Sequence, residues 1–146
     1  MRRFHFRLES ILELRQKLAD EKRLELGAIT QRCEALERDI EAHTALRYRT
    51  LTEHGLASAV DIDYRRAIEA YAARLTSEVH RYREELREAY VQRDAVAQEY
   101  REAKRNAEVL EKLKSRRKES HLEAAKREEQ IRLDEISQRM MWSGNG

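Results

Sequence analysis

Proline is absent from all 146 residues, and only four glycines occur, two of them in the last four positions. Without proline, no ring removes a backbone donor or clashes with the preceding turn, so helices of great length are allowed. Cysteine is almost absent as well. Cys33 stands alone, which excludes an internal disulfide and fits a reducing compartment. No apolar run approaches the length that crosses a bilayer. The opening residues carry positive charge but lack the apolar stretch of a signal peptide, so the expected location is the cytoplasm. A strong excess of one charge is also missing: 30 Lys and Arg offset 28 Asp and Glu.

What the chain has in abundance is charge of both signs, 40% of residues, beside 40% hydrophobic residues dominated by Leu and Ala. That balance leaves too little apolar area for a globular core but enough for a narrow seam between helices. The apolar residues are ordered in phase, which separates this chain from a disordered one.

The clearest phase runs from Ile68 through Ala72, Leu75, Val79, Tyr82, Leu86, Ala89, Arg93, Val96, Tyr100, Ala103 and Ala107 to Leu110. Steps of four and three alternate, and only Arg93 is neither apolar nor aromatic. A 3.5-residue repeat of that length is a continuous stripe that requires a partner helix. A second seam keeps the same spacing over Leu8, Leu12, Arg15, Ala19, Lys22, Leu26, Ile29, Cys33, Leu36, Ile40 and His43. Arg15 and Lys22 break it, while Ile11, Leu14 and Leu18 offer a competing phase. This pattern reads as a register slip.

Between the seams, Gly55 suits a helix C-terminus, and Ser58, Asp61 and Asp63 are candidate N-caps. Leu8 and Leu110 sum to 118, and half of that is 59, inside this break. The seams therefore match when the chain folds back on itself near Ala59. The expected fold is all-α: an antiparallel two-helix coiled-coil hairpin with helix 1 over about residues 4–54, a turn over about 55–63 and helix 2 over about 64–139. Residues 140–146 are expected to form a flexible tail. Residues 111 to about 138 have no first-helix residues to face, an overhang of roughly 40 Å. Its apolar positions are sparse: Leu113, Leu122, Ala125, Leu133 and Ile136.

Catalytic chemistry finds no support. His5, His43, His54, His80 and His121 include no pair at i, i+4, and none joins Cys33 at a metal-ligand spacing. Phosphate-binding glycine loops and nucleophile elbows are missing. The many carboxylates sit among Arg and Lys at salt-pair spacing. No cofactor or metal is expected, and Cys33 reads as a small buried seam residue. Basic residues concentrate at Arg2, Arg3 and Arg7 and again at Lys112, Lys114, Arg116, Arg117 and Lys118. No aromatic platform accompanies them, so a solvated helix or an acidic protein partner is preferred over nucleic acid. Of six tyrosines, Tyr82 and Tyr100 lie on the seam, and Tyr71 and Tyr90 flank it as contact anchors.

Both ends of the chain resemble the FliJ family of the flagellar type III export apparatus. The opening Phe4-His5-Phe6-Arg7-Leu8-Glu9-Ser10-Ile11-Leu12-Glu13-Leu14-Arg15 is similar to the family's start. The segment Leu110-Glu111-Lys112-Leu113-Lys114-Ser115-Arg116-Arg117-Lys118, with Glu128-Glu129-Gln130 and Leu133-Asp134-Glu135-Ile136, is similar to its close. The resemblance implies a non-catalytic rod like the central stalk of rotary ATPases. Its terminal end would enter the hexameric ring of the export ATPase and promote its assembly and activity. Its other part would engage the cytoplasmic region of the export gate protein FlhA, and the protein would also handle export chaperones. It would sit at the membrane-bound apparatus without inserting into the membrane. Carried over by position, the ATPase contacts are Phe4, Phe6, Leu8, Arg116, Arg117, Glu129, Leu133, Asp134 and Ile136. The gate contacts are Tyr48, Tyr71, Leu75 and Tyr82. Leu75 and Tyr82 are thereby assigned both to the seam and to an exposed patch. The alternatives are a coiled-coil tether outside flagella and a nucleic-acid-binding rod.

Overall fold

A computed structural model describes residues 2–54 and 61–144. Helix α1 spans Glu9–Arg49 and passes into one wider π-helical turn, Thr50–His54. Helix α2 spans Ile62–Gly144, twice the length of α1. Among the described residues there is no strand. The two helices pack as a hairpin with the second much the longer. The chain divides into two compact units, residues 1–19 with 102–146, and residues 20–101.

Local chemistry sets the helix ends. Asp61 caps α2: its Oδ1 accepts from the backbone N–H of Asp63 at 3.0 Å and of Tyr64 at 3.3 Å. Near the end of α1, Thr50 and Thr52 turn their hydroxyls back to the carbonyls of Leu46 and Tyr48, at 2.8 and 2.9 Å. That bond lets Thr50 be buried without an unsatisfied hydroxyl. Gly55 and Ser58 lie outside the described residues. At the far end α2 continues to Gly144, in place of the tail expected from residue 140. Gln, Arg, Met and Trp all tolerate helix, and no breaker precedes Gly144.

In residues 20–101 the seam follows the heptads. Cys33, Leu36 and Ala89 form its central cluster, with Ile29, Tyr82, Leu86 and Tyr90 packed against it. Cys33 is 1% exposed. Arg93 takes its seam place by laying its guanidinium over the Tyr90 ring, 4.7 Å from the centroid, beside Asp94.

The expected register slip does not occur. Arg15 and Lys22 stay on the seam face, half-buried, while Ile11, Leu14 and Leu18 point outward. In residues 1–19 and 102–146, Arg15 donates to the carbonyl of Asn106 at 3.3 Å. In residues 20–101, Lys22 reaches Glu99 at 2.7 Å and Glu25 at 3.2 Å. A long side chain with its stem in the seam and its charge on a partner's oxygen satisfies the heptad position without a phase change. The pairs Arg15 with Asn106, Lys22 with Glu99 and His43 with Glu78 each sum to 121, the antiparallel signature, close to the expected 118.

Candidate interaction surfaces

The chain's first residues depart most from expectation. Residues 2–6 are not helical, a turn covers 7–8, and α1 starts at Glu9 rather than near residue 4. The alternation Phe4-His5-Phe6-Arg7-Leu8 explains the difference. In a helix, residues i and i+2 point to opposite sides; in an extended segment they share a face. A non-helical start turns Phe4 and Phe6 together toward α2, and the turn at residues 7–8 brings Leu8 to the same side.

Phe6 is 4% exposed and forms a core with Leu12 and Leu110, against which Phe4, Leu8 and Leu113 pack. Burial of that one ring contributes about 2–3 kcal/mol. Polar contacts continue the attachment. The Arg117 guanidinium stands 5.9 Å from the Phe6 ring centroid. Lys114 Nζ lies 3.0 Å from Glu9 Oε1 and 2.8 Å from Oε2. The Phe4 and His121 rings are 5.6 Å apart, and His121 Nε2 meets the carbonyl of Arg2 at 2.9 Å. Leu113, Arg117 and His121 follow one another at steps of four on one face of α2, with Lys114 at its edge. The expected overhang from residue 111 is therefore covered by this arm as far as His121.

Among the described residues of this unit, none covers α2 beyond His121. Leu122, Ile131, Leu133, Ile136, Met140, Met141 and Trp142 are all exposed, with Trp142 at 84%. Leu122, Ala125, Glu129, Leu133, Ile136 and Met140 follow steps of three, four and four, an 11-residue repeat. That period, 3.67 residues per turn, keeps a stripe on one side of a nearly straight helix, unlike the 3.5 of the seam. Taken as a sparse continuation of the heptad, the same positions conceal this change of period. At 100° per residue the stripe stands about a third of a turn from Leu110. A shallow hollow on this face is lined by Ala125, Glu128, Glu129, Arg132, Leu133 and Ile136.

The ATPase contacts expected by position thus fall into two groups. Phe6 is buried, and Phe4 and Leu8 are half-buried, within the chain itself. Arg116, Arg117, Glu129, Leu133, Asp134 and Ile136 are exposed, with Asp134 accepting from Gln130 at 3.2 Å. The expected gate contacts divide likewise. Tyr48 is 70% and Tyr71 40% exposed, and their numbers place them at nearly the same level on the two helices. Leu75 is buried at 3%. Tyr82 is half-buried, its ring 5.1 Å from that of His43 in an edge-on arrangement. Leu75 therefore lies on the seam, and Tyr82 lies partly on it with the rest of its ring accessible. Leu51, Ile62 and Tyr64, which no sequence pattern marks, are also exposed near this end of residues 20–101.

Besides His43 with Glu78, two further polar pairs bind the helices in this unit. The Tyr90 hydroxyl donates to Glu37, and that bond, with some burial, raises the phenol above its usual value. Glu99 first and Glu25 second hold the Lys22 ammonium above its usual value. Among the described residues, no group of three or more His, Cys, Asp or Glu is arranged to hold a metal. No helix among them is long and apolar enough to cross a membrane.

The family model described as "Flagellar FliJ protein" matches residues 4–146. No curated protein and no solved structure matches the chain.

Proposed function

The chain belongs to the FliJ family, which makes it a component of flagellar protein export, and from that premise we propose that it is the non-catalytic stalk of the export ATPase. In this reading the end of α2 enters the hexameric ring of the ATPase and promotes its assembly and activity. The observation that carries the reading is the uncovered stripe beyond His121. Leu122, Leu133, Ile136 and Met140 expose apolar surface on a helix that has no partner in its own unit. An isolated helix is marginal in water and gains most from packing an amphipathic face. An enclosing partner supplies that packing on every side, which also suits exposed Ile131, Met141 and Trp142.

The end of residues 20–101 that carries Tyr48 and Tyr71 is the surface we assign to the export gate protein FlhA. Both tyrosines present accessible rings, the side chains that most often anchor contacts. Leu75 and Tyr82 support this patch from the seam; direct contact with Leu75 requires the helices to part. Export chaperones complete the set of partners, and the protein works in the cytoplasm beside the membrane-bound apparatus.

Binding of the export ATPase to the full chain and to a chain ending at His121 tests the proposal. The full chain is expected to bind and to raise ATP hydrolysis, and the shortened chain to do neither. Equal binding by both removes the uncovered stripe from the interface.

A further inference from the structure

The arm of residues 2–8 is held by few attachments. Phe6 is its one fully buried side chain, and Phe4 and Leu8 are partly buried. Its carbonyl at Arg2 meets His121 Nε2 at 2.9 Å. Among the described residues, no backbone hydrogen bond joins the arm to α2; those of Phe6 and Leu8 go to the N–H groups of Glu9 and Leu12, within its own end of α1. Seven ordered residues thus depend on one ring, two half-buried side chains and a single carbonyl. The chain entropy regained on release is therefore large beside the little that holds the arm in place. An open cleft of about 340 Å³ beside the arm is lined by Phe4, His5, Phe6, Glu9, Lys114 and Lys118.

The face beneath the arm is apolar and basic. Leu110 and Leu113 form its floor, and Arg117 lies over the Phe6 ring. This face ends at His121, and the uncovered stripe begins at Leu122, about a third of a turn around the helix. A partner that encloses the helix along the stripe reaches the arm where the two faces meet end to end.

We propose that the arm is a releasable strap: it covers the Leu110–His121 face of α2 in the free protein and leaves that face when the export ATPase engages the helix. The arm is then a competitor for the ATPase surface rather than part of the contact. This inference rests on the stalk reading above. It deepens that reading by naming what limits access to the site. Phe4 and Phe6, on this account, serve the free state, and Leu110, Leu113 and Arg117 serve the engaged one.

The test fixes the strap shut. Phe4→Cys with His121→Cys, in a Cys33→Ala background, places two thiols where the rings now meet; oxidation ties the arm down and reductant frees it. Circular dichroism confirms the helices in both states, and a thiol assay confirms closure of the disulfide. Binding to the purified export ATPase is then measured in each state. The expected result is at least tenfold weaker binding when oxidised, restored by reductant, and binding by a chain lacking residues 2–5 at least as tight as that of the unaltered protein. Equal binding in the two redox states overturns the strap and leaves the stalk reading intact. Weaker binding by the chain lacking residues 2–5 also overturns it, because the arm is then a contact. If neither the unaltered nor the reduced protein binds, the stalk reading fails and the strap with it.

Discussion

Phe6, in the non-helical arm, is buried against Leu110 of α2, 104 residues away in the sequence. The pair ties the start of the chain to the last heptad position of the seam. The Phe4 ring and the Arg2 carbonyl at His121 mark where the covered part of α2 stops and the uncovered part begins.

Because the arm is weakly held, removal of the Phe6 ring costs less than its size suggests. Phe6→Ala is expected to lower stability by about 1–2 kcal/mol, since backbone entropy regained by the released arm offsets part of the lost burial. Leu36→Ala, in the central seam cluster, is expected to cost roughly 2–4 kcal/mol, because its cavity cannot be relieved by releasing a segment. Urea denaturation of the two variants measures the order. A greater loss for Phe6→Ala contradicts a weakly held arm.

Gly27 sits inside α1, and a Cβ added there meets nothing within 4 Å. Gly27→Ala is therefore expected to raise stability by about 0.5–1 kcal/mol through the lower entropy of the unfolded chain. A shift of the thermal midpoint upward checks this, and an unchanged or lower midpoint contradicts it.

Lys22 and Tyr90 together set an alkaline limit. Each has a folded-state pKa above its unfolded value, raised by a hydrogen bond across the hairpin to Glu99 and Glu37 respectively. Their stabilisation is present below the unfolded values of 10.5 and 10.0 and is lost as pH rises through the folded values. Lys22→Met with Tyr90→Phe is expected to flatten the fall in stability above about pH 10. Denaturation midpoints between neutral and strongly alkaline pH give the slope. A slope unchanged from the parent protein contradicts the assignment.

Much of the fold is legible in the sequence because seam positions obey a period. Every position from Ile68 to Leu110 that the heptad places on the seam is buried or half-buried. The antiparallel sum is legible for the same reason. Arg15 and Lys22 mislead because a charged residue on a stripe looks like a change of phase. Tertiary partners, Asn106 and Glu99, decide the matter, and no local pattern contains them. The arm misleads because its period of two is only five residues long and merges with the helix that follows. Its signal lies in Phe4, Phe6 and Leu8. Tyr48 and Tyr71 remain accessible, as a contact role requires, whereas Leu75 follows the seam. A family pattern transfers positions, but burial decides which of them a partner can reach.

Leu133 and Ile136 lie on the uncovered stripe that is assigned to the export ATPase. Both are about half exposed, so Leu133→Asp with Ile136→Asp is expected to change the stability of the free protein by less than about 1 kcal/mol. ATP hydrolysis by the purified export ATPase is measured with the parent and with this variant. The parent is expected to raise the rate and the variant to leave it unchanged, even at tenfold higher concentration. Stimulation by the variant equal to that by the parent rules the stripe out as the ATPase contact.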